Sequence, residues 1–128
     1  MDKKLRDQLS KIKLLICDID GVLTDGSFIK STSGDELRSF NALDGVGFVT
    51  LRLLNLNIKT AWITGRESLT TTQRAEELQI DDVYNGVIRK IDAYDELKKK
   101  YGVLDNEVCF IGDDIIDLSL IHISEPTR

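Results

Sequence analysis

Two aspartates, one residue apart, follow a short apolar run near the start of the chain. Residues 14–17 are Leu, Leu, Ile and Cys, and Asp18 and Asp20 come directly after them. A strand of an open α/β sheet that ends in carboxylates places them at the sheet edge, where ligands bind. Their spacing suits a nucleophile and an acid/base partner around one metal ion.

Further polar residues follow other apolar runs, at the places where we expect other strands to end. Thr64 comes after residues 58–63, and Asp113 comes after residues 108–111. Because the carboxyl ends of parallel strands meet at one edge of a sheet, these residues should lie close to the aspartate pair. Several strand ends that converge on one edge indicate a ligand site more strongly than any single motif does.

Each of these residues also has an ordinary structural explanation. The aspartate pair is compatible with a turn or a helix cap, and Thr64 with a strand-end hydroxyl group. Lys90, at the start of a helical segment, is compatible with a solvated side chain. Asp113, Asp114 and Asp117 are compatible with an acidic loop. The joint pattern favours a ligand site over these separate explanations.

The elements that must position these residues alternate between strand and helix. The sequence predicts buried strands at residues 12–17, 58–63, 83–84 and 108–111. It predicts helices at residues 2–11, 44–55, 68–79 and 88–101. This alternation is typical of an α/β fold with a doubly wound parallel sheet.

The segment between the first two buried strands is short. Residues 27–30 and 36–41 read as two strands on either side of a turn-forming linker, which predicts a β-hairpin. Asp44 is expected to cap the helix that follows. The predicted buried side of that helix consists of Val46, Val49, Leu53 and Leu54.

Composition limits the function classes that the chain can serve. The 128 residues are 41% hydrophobic, which suits one globular domain. Their net charge of −5 gives no indication of the basic surface that binds nucleic acid. We find no apolar stretch long enough to span a membrane and no signal peptide, so we expect a cytoplasmic protein. Cys17 and Cys109 lie in apolar runs and are expected to be buried thiols without a disulfide.

The end of the chain differs from the rest. Residues 118–128 contain His122 and Pro126, which are the one histidine and the one proline of the sequence. The segment is similar to the translation of a sequencing-library adapter, so we expect the native sequence to stop near Asp117 or Leu118. Residues 1–117 are then one domain that is incomplete at its C-terminus, and His122 is no catalytic candidate.

Four motifs, in order, make the chain resemble the phosphatases of the haloacid dehalogenase superfamily. They span most of residues 12–117 and are residues 18–24 (Asp-Ile-Asp-Gly-Val-Leu-Thr), residues 63–66 (Ile-Thr-Gly-Arg), Lys90, and residues 112–117 (Gly-Asp-Asp-Ile-Ile-Asp). The resemblance implies a Rossmann-like fold. A lone Asp-x-Asp is a weak signal, but four motifs in register are specific.

The resemblance implies a role for each motif residue. Asp18 is the nucleophile, Asp20 is the acid/base, and Thr64 and Lys90 hold the phosphate oxygens. The metal ligands are the side chains of Asp18 and Asp113 and the backbone carbonyl of Asp20, while Asp114 and Asp117 orient the site.

A cation is needed in such a site on electrostatic grounds. One like-charge contact at 4 Å costs about 4 kcal/mol at an effective dielectric constant of 20, and a phosphate monoester meets several carboxylates here. Oxygen ligands with room for water suit Mg²⁺.

The segment after the first motif is similar to one family within this superfamily, the 3-deoxy-D-manno-octulosonate 8-phosphate phosphatases. Residues 27–43 leave no room for a cap domain, and this family is a homotetramer in which a neighbouring subunit covers the active site. It acts in lipopolysaccharide sugar synthesis. By this resemblance, the contacts to the sugar-acid phosphate come from Asp20, Asn41, Asp44, Gly45, Arg66, Arg74 and Lys90.

Two residues that differ from the family's pattern, and two alternative functions, keep the exact function open. Leu43 and Val49 stand where this family usually has arginine, which leaves the exact sugar acid undecided. Arg66 and Arg74 are also compatible with ordinary surface arginines. The related domain of acylneuraminate cytidylyltransferases shares the pattern, and it would act in sialic-acid-type metabolism or as a non-catalytic oligomerisation module. A capless phosphatase for phosphoproteins or nucleotides is the other alternative.

Overall fold

The computed structural model describes residues 1–112. The helices and strands of this part are α1 (Lys3–Leu9), β1 (Leu14–Asp18), β2 (Ile29–Lys30), β3 (Glu36–Leu37), α2 (Ala42–Leu53), β4 (Lys59–Ile63), α3 (Leu69–Leu78), β5 (Asp82–Tyr84), α4 (Lys90–Tyr101), a 3₁₀ turn (Asp105–Glu107) and β6 (Val108–Ile111). The predicted alternation of strands and helices is confirmed.

A parallel sheet with the strand order β5-β4-β1-β6 forms the centre of the fold. β1 lies between β4, where Asp18 is paired with Ile63, and β6, where Cys17 is paired with Ile111. The chain adds strands on one side of β1 and then crosses to its other side. In such sheets the ligand crevice opens at the carboxyl ends of the strands, at the point where the order reverses. That point is the end of β1.

Alternate residues of the buried strands face different helices. Leu14 and Ile16 of β1 pack with Tyr94 and Leu97 of α4 in one core cluster. Cys17 and Trp62 pack on the other side with residues of α2 and α3, in a second cluster that also contains Phe48, Ala75 and Leu78. Helices therefore cover both faces of the sheet, which confirms the doubly wound α/β fold.

The hairpin is confirmed, but both of its strands are shorter than predicted. β2 and β3 pair antiparallel, with Ile29 opposite Leu37, and no cap domain lies between β1 and β4 in this described segment. The prediction of a strand up to residue 41 was wrong. The ring of Phe40 instead stacks on Trp62 with centroids 6.2 Å apart, and Asn41 caps the next helix. Phe40 is thus partly buried against the second core cluster, directly before α2 begins.

Two predictions for α2 were wrong. The N-cap is Asn41, whose side chain accepts a hydrogen bond from the backbone N–H of Leu43, and Asp44 lies inside the first turn. The buried face is Gly45 and Phe48, with Val49 partly buried. The other residues predicted to be buried are exposed, namely Val46, Leu53 and Leu54. The helix has two apolar stripes, and the stripe with the aromatic ring packs edge-on against Trp62.

Cys17 is buried and Cys109 is partly buried, and both are free thiols, as predicted. No helix among residues 1–112 has the length and apolarity needed to cross a membrane. The predicted adapter-derived segment, residues 118–128, lies outside the described residues, as does the predicted domain end near Asp117.

The two stripes of α2 can be told apart by mutation. Phe48→Ala should lower the free energy of unfolding by about 3–5 kcal/mol, because it leaves a cavity against Trp62. Leu53→Ala, the control on the exposed stripe, should change it by less than about 0.5 kcal/mol. Urea unfolding of both variants measures the difference, and equal losses at both positions would contradict the assigned face.

Candidate active site

Asp18 forms a buried ion pair with Lys90. Asp18 is the last residue of β1 and Lys90 is the first residue of α4, and the ammonium nitrogen lies 3.1 Å from Oδ1 of the carboxylate. Both side chains are more than 90% buried. The carboxylate also accepts a hydrogen bond of 2.8 Å from the backbone N–H of Ile19. The structure therefore brings together the first and third motifs, as predicted.

Cys17 is next to Asp18 and offers another nucleophile type, but its environment keeps it inert. Burial is the main cause that raises the pKa of the Cys17 thiol, to about 12, and nearby Cys109, Asp44 and Asp18 add to the effect. At neutral pH almost no reactive thiolate is present. The carboxylate is therefore the candidate nucleophile at this strand end.

Asp20 has its own cation, Arg38, which the sequence analysis did not single out. Nε of Arg38 donates a hydrogen bond of 2.8 Å to Oδ1 of Asp20. The arginine side chain is fully buried, whereas the aspartate side chain is 24% exposed. The available signal was the Glu36-Leu37-Arg38 pattern, which puts two charges on one side of an extended segment next to the site.

A tight turn carries the chain away from Asp20. Gly21 has a φ of +86°, a conformation that glycine adopts without steric cost. The backbone N–H groups of Val22, Leu23 and Thr24 all point to the carbonyl oxygen of Ile19. This compact turn holds the second aspartate at the mouth of the crevice, where part of its side chain meets solvent.

Thr64 lies one position beyond the end of β4, next to the strand end that carries Asp18. The preceding residue, Ile63, is paired with Asp18 in the sheet. Thr64 itself is 99% buried. Its Oγ1 accepts a hydrogen bond of 3.2 Å from the backbone N–H of Arg66. The hydroxyl thus closes a turn at the strand end, and its predicted position beside the first motif is consistent with the sheet register.

Four charged residues form a cluster between the hairpin and the loop after β4. We call Lys30, Glu36, Arg38 and Arg66 the hairpin charge cluster. Oε1 of Glu36 lies 3.2 Å from Nη2 of Arg66 and 3.7 Å from the ammonium of Lys30, and Oε2 lies 3.7 Å from Nη2 of Arg38. The Arg66 guanidinium also lies 3.8 Å from the ring centre of Phe28. Glu36 therefore links the hairpin to the loop after β4, while Arg38 also pairs with Asp20.

The remaining predicted substrate residues lie on or against α2. Asn41 and Asp44 line a cavity of about 380 Å³, together with Thr24 and Asp25 of the loop after β1. Arg74 packs against the helix at Gly45, where an added Cβ atom would lie 2.6 Å from Nη2.

The described residues contain part of the predicted metal site. Asp18 and Asp20 offer oxygen ligands, which fit a hard cation such as Mg²⁺. Residues 1–112 contain no group of three His, Cys, Asp or Glu side chains that could hold a metal ion. The third predicted ligand, Asp113, and the supporting residues Asp114 and Asp117 lie outside the described residues.

Several known proteins similar to this chain are named as phosphatases. Over 108 residues the chain is 41% identical to a 3-deoxy-D-manno-octulosonate 8-phosphate phosphatase from Yersinia pestis, with 84% of this chain and 57% of the relative covered. Over 106 residues it is 39% identical to the protein of that name from Escherichia coli strain K12, with 83% and 55% covered. The chain thus spans little more than half the length of these relatives. No protein-family model matches it.

A solved structure shares the fold closely. It is a crystal structure of 3-deoxy-D-manno-octulosonate 8-phosphate phosphatase from Moraxella catarrhalis in complex with a magnesium ion, a phosphate ion and a KDO molecule. The TM-score is 0.89 at 34% sequence identity, and the match covers 97% of this chain and 70% of that chain.

The buried ion pair should be visible in the stability of the protein. Lys90→Met should lower the free energy of unfolding by about 3–5 kcal/mol, because it leaves the buried Asp18 carboxylate without its cation. Asp18→Asn in the same protein should recover part of this loss. Lys99→Met, an exposed position on the same helix, is the control. Urea unfolding that finds Lys90→Met as stable as this control would refute the pairing.

Proposed function

The chain belongs to the 3-deoxy-D-manno-octulosonate 8-phosphate phosphatase family of the haloacid dehalogenase superfamily, and we propose that it is a Mg²⁺-dependent phosphatase. Its proposed substrate is a small acidic sugar phosphate resembling 3-deoxy-D-manno-octulosonate 8-phosphate. The reaction proceeds through an aspartyl-phosphate intermediate. The observation that carries this proposal is the buried Asp18–Lys90 pair at the carboxyl end of the central strand.

The pair suits phosphoryl transfer in two ways. Lys90 stabilises the ionised form of Asp18, which is the form that attacks phosphorus. The same ammonium group can hold an equatorial phosphate oxygen, where charge spreads in the transition state. Thr64, beside the same strand end, is the second proposed partner for these oxygens.

The proposed reaction has two steps. An oxygen of Asp18 bonds to phosphorus as the bond to the leaving oxygen breaks, and Asp20 gives its proton to that oxygen. Asp20 then takes a proton from water, whose oxygen attacks phosphorus and releases Asp18 as a free carboxylate. Mg²⁺, held by Asp18, the backbone carbonyl of Asp20 and Asp113, would offset the negative charge of the phosphate. Asp114 and Asp117 would orient this metal site.

The proposed substrate recognition uses charge and hydrogen bonding. Arg66 and Arg74 are suited to a sugar-acid carboxylate, because a guanidinium binds both oxygens. The cavity that Asn41 and Asp44 line has room for sugar hydroxyl groups. The KDO molecule named in the Moraxella catarrhalis structure supports a substrate of this class. Leu43 and Val49 leave open which sugar acid is bound.

We also propose a homotetramer in the cytoplasm that serves lipopolysaccharide sugar synthesis. The hairpin leaves apolar side chains in solvent, with Ile29 68% exposed and Leu37 52% exposed. Such residues are suited to contact a neighbouring subunit, whose approach would cover the site, since no cap domain lies between β1 and β4.

A non-catalytic oligomerisation module, as in cytidylyltransferase-associated domains of sialic-acid-type metabolism, is the second candidate. It is favoured by the exposed apolar stripe of α2, which includes Leu43, Val46, Leu53 and Leu54. The buried charge pair argues against it, because a module without catalysis has no need to bury two charges at the sheet edge.

Phosphate release tests the proposal directly. The full-length protein should hydrolyse 3-deoxy-D-manno-octulosonate 8-phosphate or a related nonulosonic acid phosphate with Mg²⁺ and lose this activity with EDTA. Asp18→Asn should lower kcat by about 10³-fold or more, because it removes the nucleophile. Asp7→Asn, an exposed change on α1, should leave kcat unaltered. Activity that survives Asp18→Asn would rule out the aspartyl-phosphate, and no activity on any sugar phosphate would favour the oligomerisation module.

Substrate recognition by Arg74 can be tested through its packing on α2. Gly45→Ala should displace the guanidinium and raise KM for the acidic sugar phosphate by about tenfold, which equals about 1.4 kcal/mol. It should not alter KM for phenyl phosphate, which has no carboxylate. Gly47→Ala is the matched control, because its added Cβ meets nothing within 4 Å. Steady-state kinetics of both variants provide the comparison, and equal KM values would show that Arg74 does not bind the substrate.

A further inference from the structure

The two carboxylates of the first motif are held by different cations from different elements. Asp18 is paired with Lys90 at the start of α4, at 3.1 Å. Asp20 is paired with Arg38, directly after β3, at 2.8 Å. The hairpin segment between β1 and β4, where a cap domain would stand, therefore supplies the buried guanidinium of Arg38 to the loop that carries Asp20.

Arg38 is buried and held by one hydrogen bond and a longer ion pair. Its Nε donates to Asp20, and its Nη2 lies 3.7 Å from Glu36, which is itself bound by Arg66. The hydroxyl group of Thr70 donates to the backbone carbonyl of Glu36, which ties this part of the hairpin to α3. The side chain of Arg38 has no exposed surface. Burial restricts the movement of the guanidinium and directs its Nε–H toward Asp20.

The contact determines which part of the Asp20 carboxylate stays accessible. Arg38 occupies Oδ1 and is itself fully buried, whereas the Asp20 side chain remains 24% exposed. Because Arg38 contacts Oδ1, Oδ2 is the carboxylate oxygen left for another partner. When one oxygen of a carboxylate is held in place, the direction of the other oxygen is also defined.

We propose that Arg38 is a positioning residue for Asp20. It holds Oδ1 so that Oδ2 carries the proton to the leaving oxygen as the phosphorus–oxygen bond breaks, and the electrons of that bond stay on the leaving oxygen. This inference rests on the proposed phosphatase function. Arg38 itself transfers no proton and touches no reacting atom.

Leaving-group dependence separates this role from a merely structural one. Proton donation matters most for a poor leaving group, because a good leaving group departs without it. The value of kcat/KM reports the steps up to the phosphorylation of Asp18. We therefore expect loss of Arg38 to affect substituted phenyl phosphates unequally, whereas a general loss of folded enzyme lowers all of them by one factor.

The experiment uses the full-length protein and a series from 4-nitrophenyl phosphate to 4-methoxyphenyl phosphate. Arg38→Met should lower kcat/KM for 4-methoxyphenyl phosphate by about 10–100-fold, within the contribution of general acid catalysis. The loss for 4-nitrophenyl phosphate should be several times smaller. Asp20→Asn should show the same trend more strongly, and Arg38→Lys should recover part of the loss. Arg52→Met removes an arginine that donates to the Leu78 carbonyl, and it should leave the trend unchanged.

A second measurement does not depend on activity. A double-mutant cycle compares the melting temperatures of four metal-free proteins: the wild type, Arg38→Met, Asp20→Asn and the double variant. If the two side chains are in direct contact, the decrease in the double variant should differ from the sum of the decreases in the two single variants. If Arg38→Met does not fold, Arg38→Lys takes its place in both measurements.

The possible results have distinct meanings. A wild type that hydrolyses the series, with equal losses for all leaving groups in the Arg38 variant, would overturn the inference and leave the phosphatase proposal standing. Additive melting losses would overturn it as well. A wild type that hydrolyses none of these esters and none of the sugar phosphates would overturn both proposals.

Discussion

The buried ion pair between Asp18 and Lys90 is the interaction on which the arrangement of the site depends. A charge taken out of water is costly unless it has a well-placed partner. The carboxylate stands at the end of β1 and the ammonium group at the start of α4, so strand and helix must meet at one point. The sheet order satisfies this condition, because it places β1 centrally and packs α4 against one face of the sheet.

The hairpin adds a second layer of charge around this centre. Glu36 joins Arg66, from the loop after β4, to Arg38, which in turn holds Asp20. Between β1 and β4 the described chain forms this hairpin and no cap domain. These short strands bring the buried Arg38 to Asp20 and leave Ile29 and Leu37 exposed beside the crevice.

The α2 helix shows where local patterns lose their predictive value. Nearly every residue from Ala42 to Leu53 is apolar or small, so two different stripes satisfy helical periodicity. The choice between them came from Trp62 on the adjacent strand, against which the ring of Phe48 packs. A neighbouring arginine then occupies the space left by Gly45. Neither partner is close in sequence, so no local pattern carries this information.

The sequence by itself determined the α/β class, the doubly wound sheet, the hairpin and the placement of Asp18 and Thr64 at adjoining strand ends. These features follow from the periodicity of apolar residues and from motifs of few residues, both of which are local. Tertiary structure alone decided the partner of Asp20, because Arg38 is 18 positions away and reaches it only through the fold. It likewise decided which face of α2 is buried, since packing energy depends on contacts between elements that are distant in sequence.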